Sequence, residues 1–141
     1  MVRVSGIGHF SIPVSNLEAS IDFYLDVVGC TWIRGDKNHA FLDAGGVCIL
    51  LCRQNTPINR PDQLDFVHHS FAIPATQFAG IEEHLAKHGV EILYSETREG
   101  GTVNGPRTYF RDPDGTRLEF IKLTSYDPTA RPRKLTQASD A

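Results

Sequence analysis

The feature that most constrains the fold is a segment that occurs twice. The stretch HFSIPV at 9–14 has a counterpart in HHSFAI at 68–73, and the two leading histidines are 59 residues apart. Each copy alternates polar and apolar residues as a half-buried strand does, and a helical pattern that ends at Gly29 or Gly89 follows it. Because strand, helix and helix stop recur together, the sequence predicts two copies of one supersecondary unit.

The remaining elements of the two copies also correspond. Ser15 with Glu18 predicts a capping box at the start of the first helix, and Thr76 is predicted to cap the second. Three strands are predicted after each helix: 31–34, 39–43 and 47–52 in the first copy, and 90–94, 107–111 and 116–123 in the second. The predicted fold is therefore α+β, with paired βαβββ modules forming an open, curved mixed β-barrel and the helices outside.

The last two strands form a predicted hairpin. The sequence Asp-Pro-Asp-Gly at 112–115 suits a type I turn followed by a left-handed glycine, which makes a three-residue hairpin loop. That loop places Tyr109 opposite Glu119, and both point, with Arg117, away from the apolar face. The turn corresponds to 43–46 in the first copy, so the repeat extends to this hairpin and Glu119 corresponds to Leu50.

Polar residues of both modules are predicted to line the concave face of the barrel. They are His9, Ser11, His68, Ser70, Tyr109, Arg117 and Glu119. Burying polar groups without partners costs about 1–3 kcal/mol each, so polar residues on an enclosed face indicate a site. His9, His68 and Glu119 make a two-histidine, one-carboxylate set, which suits a divalent metal and leaves positions open for substrate or water.

The histidines have alternative roles. A single histidine is most often a surface or hydrogen-bonded residue, but His9 and His68 occupy equivalent positions of the repeat, which favours metal ligation. His69 is the rival of His68; it alternates onto the helix-side face, so we predict a structural role for it.

Tyr109 and several neighbours are candidates for substrate contact. As the cross-strand neighbour of Glu119, Tyr109 is predicted to donate a hydrogen bond to a metal-bound substrate oxygen; an aromatic at the edge of the core is the alternative. Arg107 and Arg117 share its face and are candidates for binding an anionic substrate, with solvated strand charges as the alternative. Ser11 and Ser70 are further candidates.

Composition excludes several classes of partner. The net charge of −3 gives no electrostatic footprint for nucleic acid or an anionic membrane. The longest apolar runs are only a few residues, so no membrane span is predicted. Three cysteines with no CxxC pattern, and an N-terminus without a signal-peptide core, predict a cytoplasmic protein.

The length of 141 residues suits one domain. We predict module one at about 5–53, a linker at 54–65, module two at about 66–123 and a polar tail at 124–141. Because an open barrel leaves strand edges that need cover, a homodimer is expected.

The layout resembles the vicinal oxygen chelate superfamily, which includes glyoxalases, extradiol dioxygenases, epimerases and the fosfomycin- and bleomycin-resistance proteins. The resemblance covers about Ile7 to Leu123. Its motifs are GHFSIPV with His9, LEASIDFYLDVVG, HHSFAI with His68, HLAKHGVEI and YFRDPDGTRLEF with Glu119. It implies paired modules around a divalent ion, Mn or Fe ahead of Zn, Ni or Co, and a small oxygen-chelating substrate.

Among these proteins the chain is most similar to the fosfomycin-resistance enzymes, which open an epoxide with a thiol or water. Tyr109 stands where they place a tyrosine in the site, and Ser11 where they place a hydroxyl. The basic residues that they use for the phosphonate have no clear match around Glu99. The resemblance thus implies a metal-dependent lyase or transferase that opens an epoxide or related electrophile.

Two other functions are alternatives: ring cleavage by an extradiol dioxygenase and non-enzymatic binding of a drug or metabolite. Extradiol dioxygenases share the triad and the tyrosine, but their extra histidine has no match at 100–102, which reads Gly-Gly-Thr. Glyoxalases commonly carry a fourth, acidic ligand where Leu50 stands here, so the resemblance does not imply glyoxalase activity. A non-enzymatic protein of the bleomycin-resistance type, which sequesters a drug or metabolite, is the third hypothesis.

Overall fold

The computed structural model describes residues 1–55, 58, 66–129 and 131–132. It divides into two compact units. The first comprises residues up to His68 together with 111–117, and the second comprises 69–110 and the described residues from Leu118 onward. Most of the predicted linker and the end of the predicted tail lie outside the described residues. The prediction that the modules form one domain stays a prediction.

The first unit contains one sheet and one helical segment. The elements are β1 (His9–Val14), α1 (Leu17–Phe23), a π-helical turn (Tyr24–Val28), β2 (Thr31–Gly35), β3 (His39–Ala44) and β4 (Val47–Arg53). The sheet order is β1-β4-β3-β2, with β1 parallel to β4 and the other pairs antiparallel. All four predicted strands are present with bounds within one residue of those predicted.

The start of the first helix differs from the prediction. The cap is Asn16, whose side-chain oxygen accepts a hydrogen bond from the backbone N–H of Ala19 at 3.1 Å. Ser15 is not the cap; its backbone N–H donates to a carboxylate oxygen of Asp114 at 3.0 Å. Both residue types cap helices well, so the sequence pattern could not separate neighbouring positions. Gly29, with φ of 90°, ends the helical segment as predicted.

The second unit repeats the same arrangement. Its elements are β5 (His69–Ala72), α2 (Ala75–Phe78), α3 (Ile81–Lys87), β6 (Tyr94–Arg98), β7 (Val103–Arg111), β8 (Arg117–Ile121) and β9 (Ser125–Tyr126). The sheet order is β5-β8-β7-β6, with β5 parallel to β8, and β9 pairs with β7. The order matches that of the first sheet strand for strand, so the predicted βαβββ repeat and the α+β fold are confirmed.

Three details of the second unit correct the prediction. Thr76 does not cap the helix but lies within α2, which follows Pro74, and the helical segment is interrupted at Gly80 before α3 begins. The strand predicted at 90–94 begins only at Tyr94, because the backbone N–H of Val90 closes the end of α3 by donating to Leu85. The predicted tail contributes the short strand β9.

The hairpin loop has the predicted turn. The backbone N–H of Gly115 donates to the carbonyl of Asp112 at 2.9 Å, and Gly115 has φ of 85°. One carboxylate oxygen of Asp112 accepts from the backbone N–H groups of Asp114 and Thr116, at 2.9 and 2.8 Å. The other accepts from the Tyr24 hydroxyl at 2.8 Å, so the buried carboxylate fixes the loop within the first unit.

Candidate functional site

His9 and Ser11 lie on the exposed side of β1. The alternate residues Ile12 and Val14 are fully buried, so this strand separates a polar face from the core as its pattern predicts. Ser11 is in register with Leu50 of the parallel strand β4.

His68 and His69 have different surroundings. The Nδ1 atom of His68, an exposed residue just before β5, lies 3.0 Å from the carbonyl oxygen of Phe66. A carbonyl oxygen only accepts, so Nδ1 carries the hydrogen and the lone pair of the neutral ring is on Nε2. Metal-binding histidines typically have this arrangement. His69 is instead half-buried at the first position of β5, in register with Leu118.

Glu119 lies in the middle of β8 and is only 1% exposed. It is in register with Ser70 of the parallel strand β5. In the first unit the corresponding pair is Ser11 and Leu50. The repeat alignment that matched Glu119 with Leu50 therefore agrees with the strand register of both sheets.

Arg107 forms an ion pair with Glu119 within the second unit. Its Nη1 lies 3.6 Å from Oε1 of Glu119, and Arg107 itself is 6% exposed. Nη2 donates to the carbonyl of Val103 at 2.8 Å, and Nε donates to that of Gly105 at 3.3 Å. The sequence placed Arg107 on this face but gave no sign that it pairs with Glu119.

Tyr109 is held by two neighbours on β6. Its hydroxyl donates to a carboxylate oxygen of Glu96 at 3.3 Å, and its ring stacks on Tyr94 with centroids 4.5 Å apart. Burial, followed by the negative charge of Glu119, raises the pKa of Tyr109 to about 12, so the phenol keeps its proton at neutral pH. Glu96 also accepts from Nε of Arg98 at 3.1 Å.

Glu96 and Arg98 were missed because the predicted strand, 90–94, ends before them. Alternate residues of β6 (Tyr94–Arg98) share one face, and on this face Tyr94 is in register with Tyr109 and Glu96 with Arg107. The other predicted substrate contacts are at the surface or half-buried: Ser70 is exposed on β5, and Arg117 is half-buried at the first position of β8.

The three candidate metal ligands are divided between the two units. His9 and His68 belong to the first unit and Glu119 to the second. In the described part of the chain, no three His, Cys, Asp or Glu side chains are grouped to hold a metal ion. The chemistry of the donors nevertheless fits one, because the set offers two imidazoles and a carboxylate.

The fold and these residues define a class of protein: two βαβββ modules in one chain, with a histidine at the start of each module and a glutamate late in the second. The family model of the Glyoxalase/Bleomycin resistance protein/Dioxygenase superfamily matches residues 6–120. The chain belongs to this superfamily, and the predicted resemblance is confirmed.

Proteins similar to this chain in sequence include fosfomycin-resistance proteins. The chain is 31% identical over 134 residues to the metallothiol transferase FosB of Shouchella clausii, covering 90% of each chain. It is 28% identical over 121 residues to the glutathione transferase FosA of Serratia marcescens, covering 83% of this chain and 80% of that one. The predicted likeness to the fosfomycin-resistance group is thus confirmed.

Solved structures agree in fold. A crystal structure of the fosfomycin resistance protein FosX from Listeria monocytogenes superposes with a TM-score of 0.71 at 21% identity, covering 86% of this chain and 94% of that one. A FosX variant complexed with Mn(II) and 1S,2S-dihydroxypropylphosphonic acid gives 0.69 at 21% identity, covering 85% and 91%. Across the described residues, the structure contains no helix with the length and apolarity to cross a membrane.

Proposed function

We propose that this protein is a divalent-metal-dependent enzyme that opens the epoxide of fosfomycin, or of a closely similar small anion, with a thiol or water. The observation that carries the proposal is Glu119, a buried carboxylate in the middle of β8 that falls at the same register position as its counterpart in the first module. The similarity to FosA, FosB and FosX over most of the chain supports the reaction class.

His9, His68 and Glu119 are the proposed ligands. The hydrogen bond from His68 to Phe66 supports His68 as a ligand, because it places the lone pair of the neutral ring on Nε2. Mn(II) is the first metal to test, since a FosX structure contains it. When bound, such an ion polarises the substrate oxygen and stabilises the negative charge that develops as the ring opens.

Tyr109 is proposed to donate a hydrogen bond to the substrate oxygen. A phenol is protonated at neutral pH, so Tyr109 can act as a donor rather than a base, and its hydroxyl must turn from Glu96 to the substrate. Arg117 is proposed to contact the anionic group, and Ser11 and Ser70 to contribute hydroxyl groups. Arg107, tethered to two backbone carbonyls, adds positive charge beside Glu119.

The proposed reaction is a nucleophilic ring opening. The thiol loses its proton to solvent, its sulfur forms a bond to one epoxide carbon, and the bond from that carbon to oxygen breaks. The oxygen that leaves takes a proton and becomes a hydroxyl group. With water as the nucleophile the product is the diol, and no oxidant or reductant is consumed.

The test uses full-length protein purified without an affinity tag and loaded with Mn(II). Fosfomycin is incubated with glutathione, with cysteine or with water alone, and phosphorus NMR follows conversion to the adduct or to the dihydroxypropylphosphonate. We expect turnover with at least one nucleophile. Tight metal binding without any turnover would overturn epoxide opening; oxygen uptake with catechols under Fe(II) would indicate the dioxygenase alternative.

Matched variants test the ligands. We expect His68→Ala to lose bound metal and turnover, because it removes the proposed Nε2 donor, while His69→Ala keeps both. Metal content is measured by elemental analysis after gel filtration. Equal loss in both variants, or loss in His69→Ala alone, would contradict the proposed register. The homodimer, the cytoplasmic location and the assembly of both modules into one functional domain remain predictions from the sequence.

A further inference from the structure

The second unit contains a buried ion pair between Arg107 and Glu119, and one of its members is a proposed metal ligand. Nη1 of Arg107 lies 3.6 Å from Oε1 of Glu119, within ion-pair range but longer than a hydrogen bond. Arg107 is 6% exposed and Glu119 is 1% exposed. Charges removed from water to this extent are costly unless each has a counter-charge.

The guanidinium is fixed by the strand that carries it. Two of its nitrogens donate to the carbonyls of Val103 and Gly105, at 2.8 and 3.3 Å. Gly105 has φ of 131°, and a Cβ at this position would lie 2.0 Å from the carbonyl oxygen of Lys122. Position 105 therefore admits only glycine, and the backbone conformation whose carbonyl accepts from Arg107 depends on this residue.

We propose that Arg107 is the resident counter-ion of Glu119 and weakens metal binding by this chain. The inference rests on the proposed role of Glu119 as a metal ligand. In the metal-free protein the guanidinium balances the buried carboxylate. A divalent ion that binds Glu119 must coordinate this carboxylate while the tethered guanidinium of Arg107, also positive, stays a few ångströms away.

Two consequences follow for a chain that lacks the guanidinium. Its metal-free form holds a buried carboxylate without this counter-charge and is less stable. In the metal-bound form of such a chain there is no repulsion between guanidinium and ion. Replacing Arg107 by methionine should therefore lower stability without metal and raise affinity for metal.

The experiment is a titration of metal-free, full-length protein with Mn(II). Free Mn(II) is followed by electron paramagnetic resonance, and the melting temperature is measured with and without the ion. We expect Arg107→Met to bind Mn(II) at least about tenfold more tightly than wild type, which is about 1.4 kcal/mol. Its melting temperature should be lower without Mn(II) and should rise more on its addition.

Arg98→Met is the matched control. It makes the same change of side chain and net charge in the same sheet, but Arg98 pairs with Glu96. We expect the affinity for Mn(II) to stay within about twofold of wild type. If Arg107→Met does not fold without metal, Arg107→Lys provides the test. It keeps the positive charge but loses the two hydrogen bonds to backbone carbonyls that hold the guanidinium. Because the charge is then no longer tethered beside the ion, binding of Mn(II) should be about threefold tighter.

The outcomes separate the inference from the proposed function. If wild type binds Mn(II) and the Arg107 variants bind it equally or more weakly, the inference is overturned and the proposed function stands. If wild type does not bind Mn(II) but Arg107→Met does, the inference is supported and the proposed function is overturned for this ion. If no form binds Mn(II), both are overturned.

Discussion

Replacing Tyr24 by phenylalanine removes one hydroxyl group from the interior of the first unit. That hydroxyl donates to Oδ2 of Asp112 at 2.8 Å; Tyr24 is fully buried and Asp112 is 5% exposed. The substitution leaves Oδ1 of Asp112 with its two backbone donors but takes away the donor to Oδ2. Since hydrogen bonds to charged groups contribute about 1.5–3 kcal/mol, we expect Tyr24→Phe to lower the free energy of unfolding by about 2 kcal/mol.

The loss should depend on pH. Burial raises the pKa of Asp112, and the Tyr24 hydroxyl is the largest of the opposing effects. Stability from a raised carboxyl pKa is fully present below the unfolded pKa and is lost as pH rises through the folded pKa. Tyr24→Phe raises that folded pKa further. The destabilisation should therefore be greatest near neutral pH and should shrink as pH falls toward the folded pKa.

The assay is urea denaturation followed by circular dichroism, at pH about 7 and about 5. Tyr126→Phe is the control: Tyr126 is 61% exposed, so we expect a change within about 0.5 kcal/mol. A cost for Tyr24→Phe that does not exceed that of the control would refute the role of this hydrogen bond. A cost that grows on acidification would refute the assignment of the pH effect to Asp112.

Three further substitutions test other parts of the structure. Gly105→Ala places a Cβ against a backbone carbonyl oxygen, so it should lower the free energy of unfolding, measured by urea denaturation, by at least about 3 kcal/mol. A Cβ added at Gly8 would have no atom within 4 Å, so Gly8→Ala should change the free energy of unfolding by no more than about 0.5 kcal/mol. Asn16→Ala should lower the free energy of unfolding by about 1 kcal/mol, because it removes the helix cap, and Ser15→Ala should lower it much less. A larger loss for Ser15→Ala would indicate that Ser15 is the cap. Tyr109→Phe should lower turnover about 100-fold with metal content unchanged, measured by phosphorus NMR and elemental analysis; lost metal would contradict its role as a donor to substrate.

The sequence predicted the repeat because each of its signals is local. Alternation with period two sets which residues of a strand share a face, and the residues of the turn set the register of a hairpin. These signals aligned Glu119 with Leu50, and both sheets have the corresponding register. A one-residue slip would have moved every side chain to the opposite face, so this agreement is a demanding one.

Features that depend on tertiary contacts could not be predicted in the same way. The shift of the strand from 90–94 to Tyr94–Arg98 follows from Val90, whose backbone N–H is used to close α3. The pairing of Arg107 with Glu119 depends on side-chain conformations and on two backbone carbonyls within β7. Alternation alone places Arg107 on the correct face but does not choose between a substrate and a carboxylate as its partner.

The charges of the second sheet bear on the class of substrate. Glu96 pairs with Arg98, and Glu119 pairs with Arg107, so these four side chains are balanced in the metal-free protein. A divalent ion bound to Glu119 gives the set an excess of two positive charges, while the tethers to β7 keep Arg107 in place. Such an excess attracts anions and disfavours cations. The charge balance therefore favours an anionic substrate, such as the proposed phosphonate, over a cationic one.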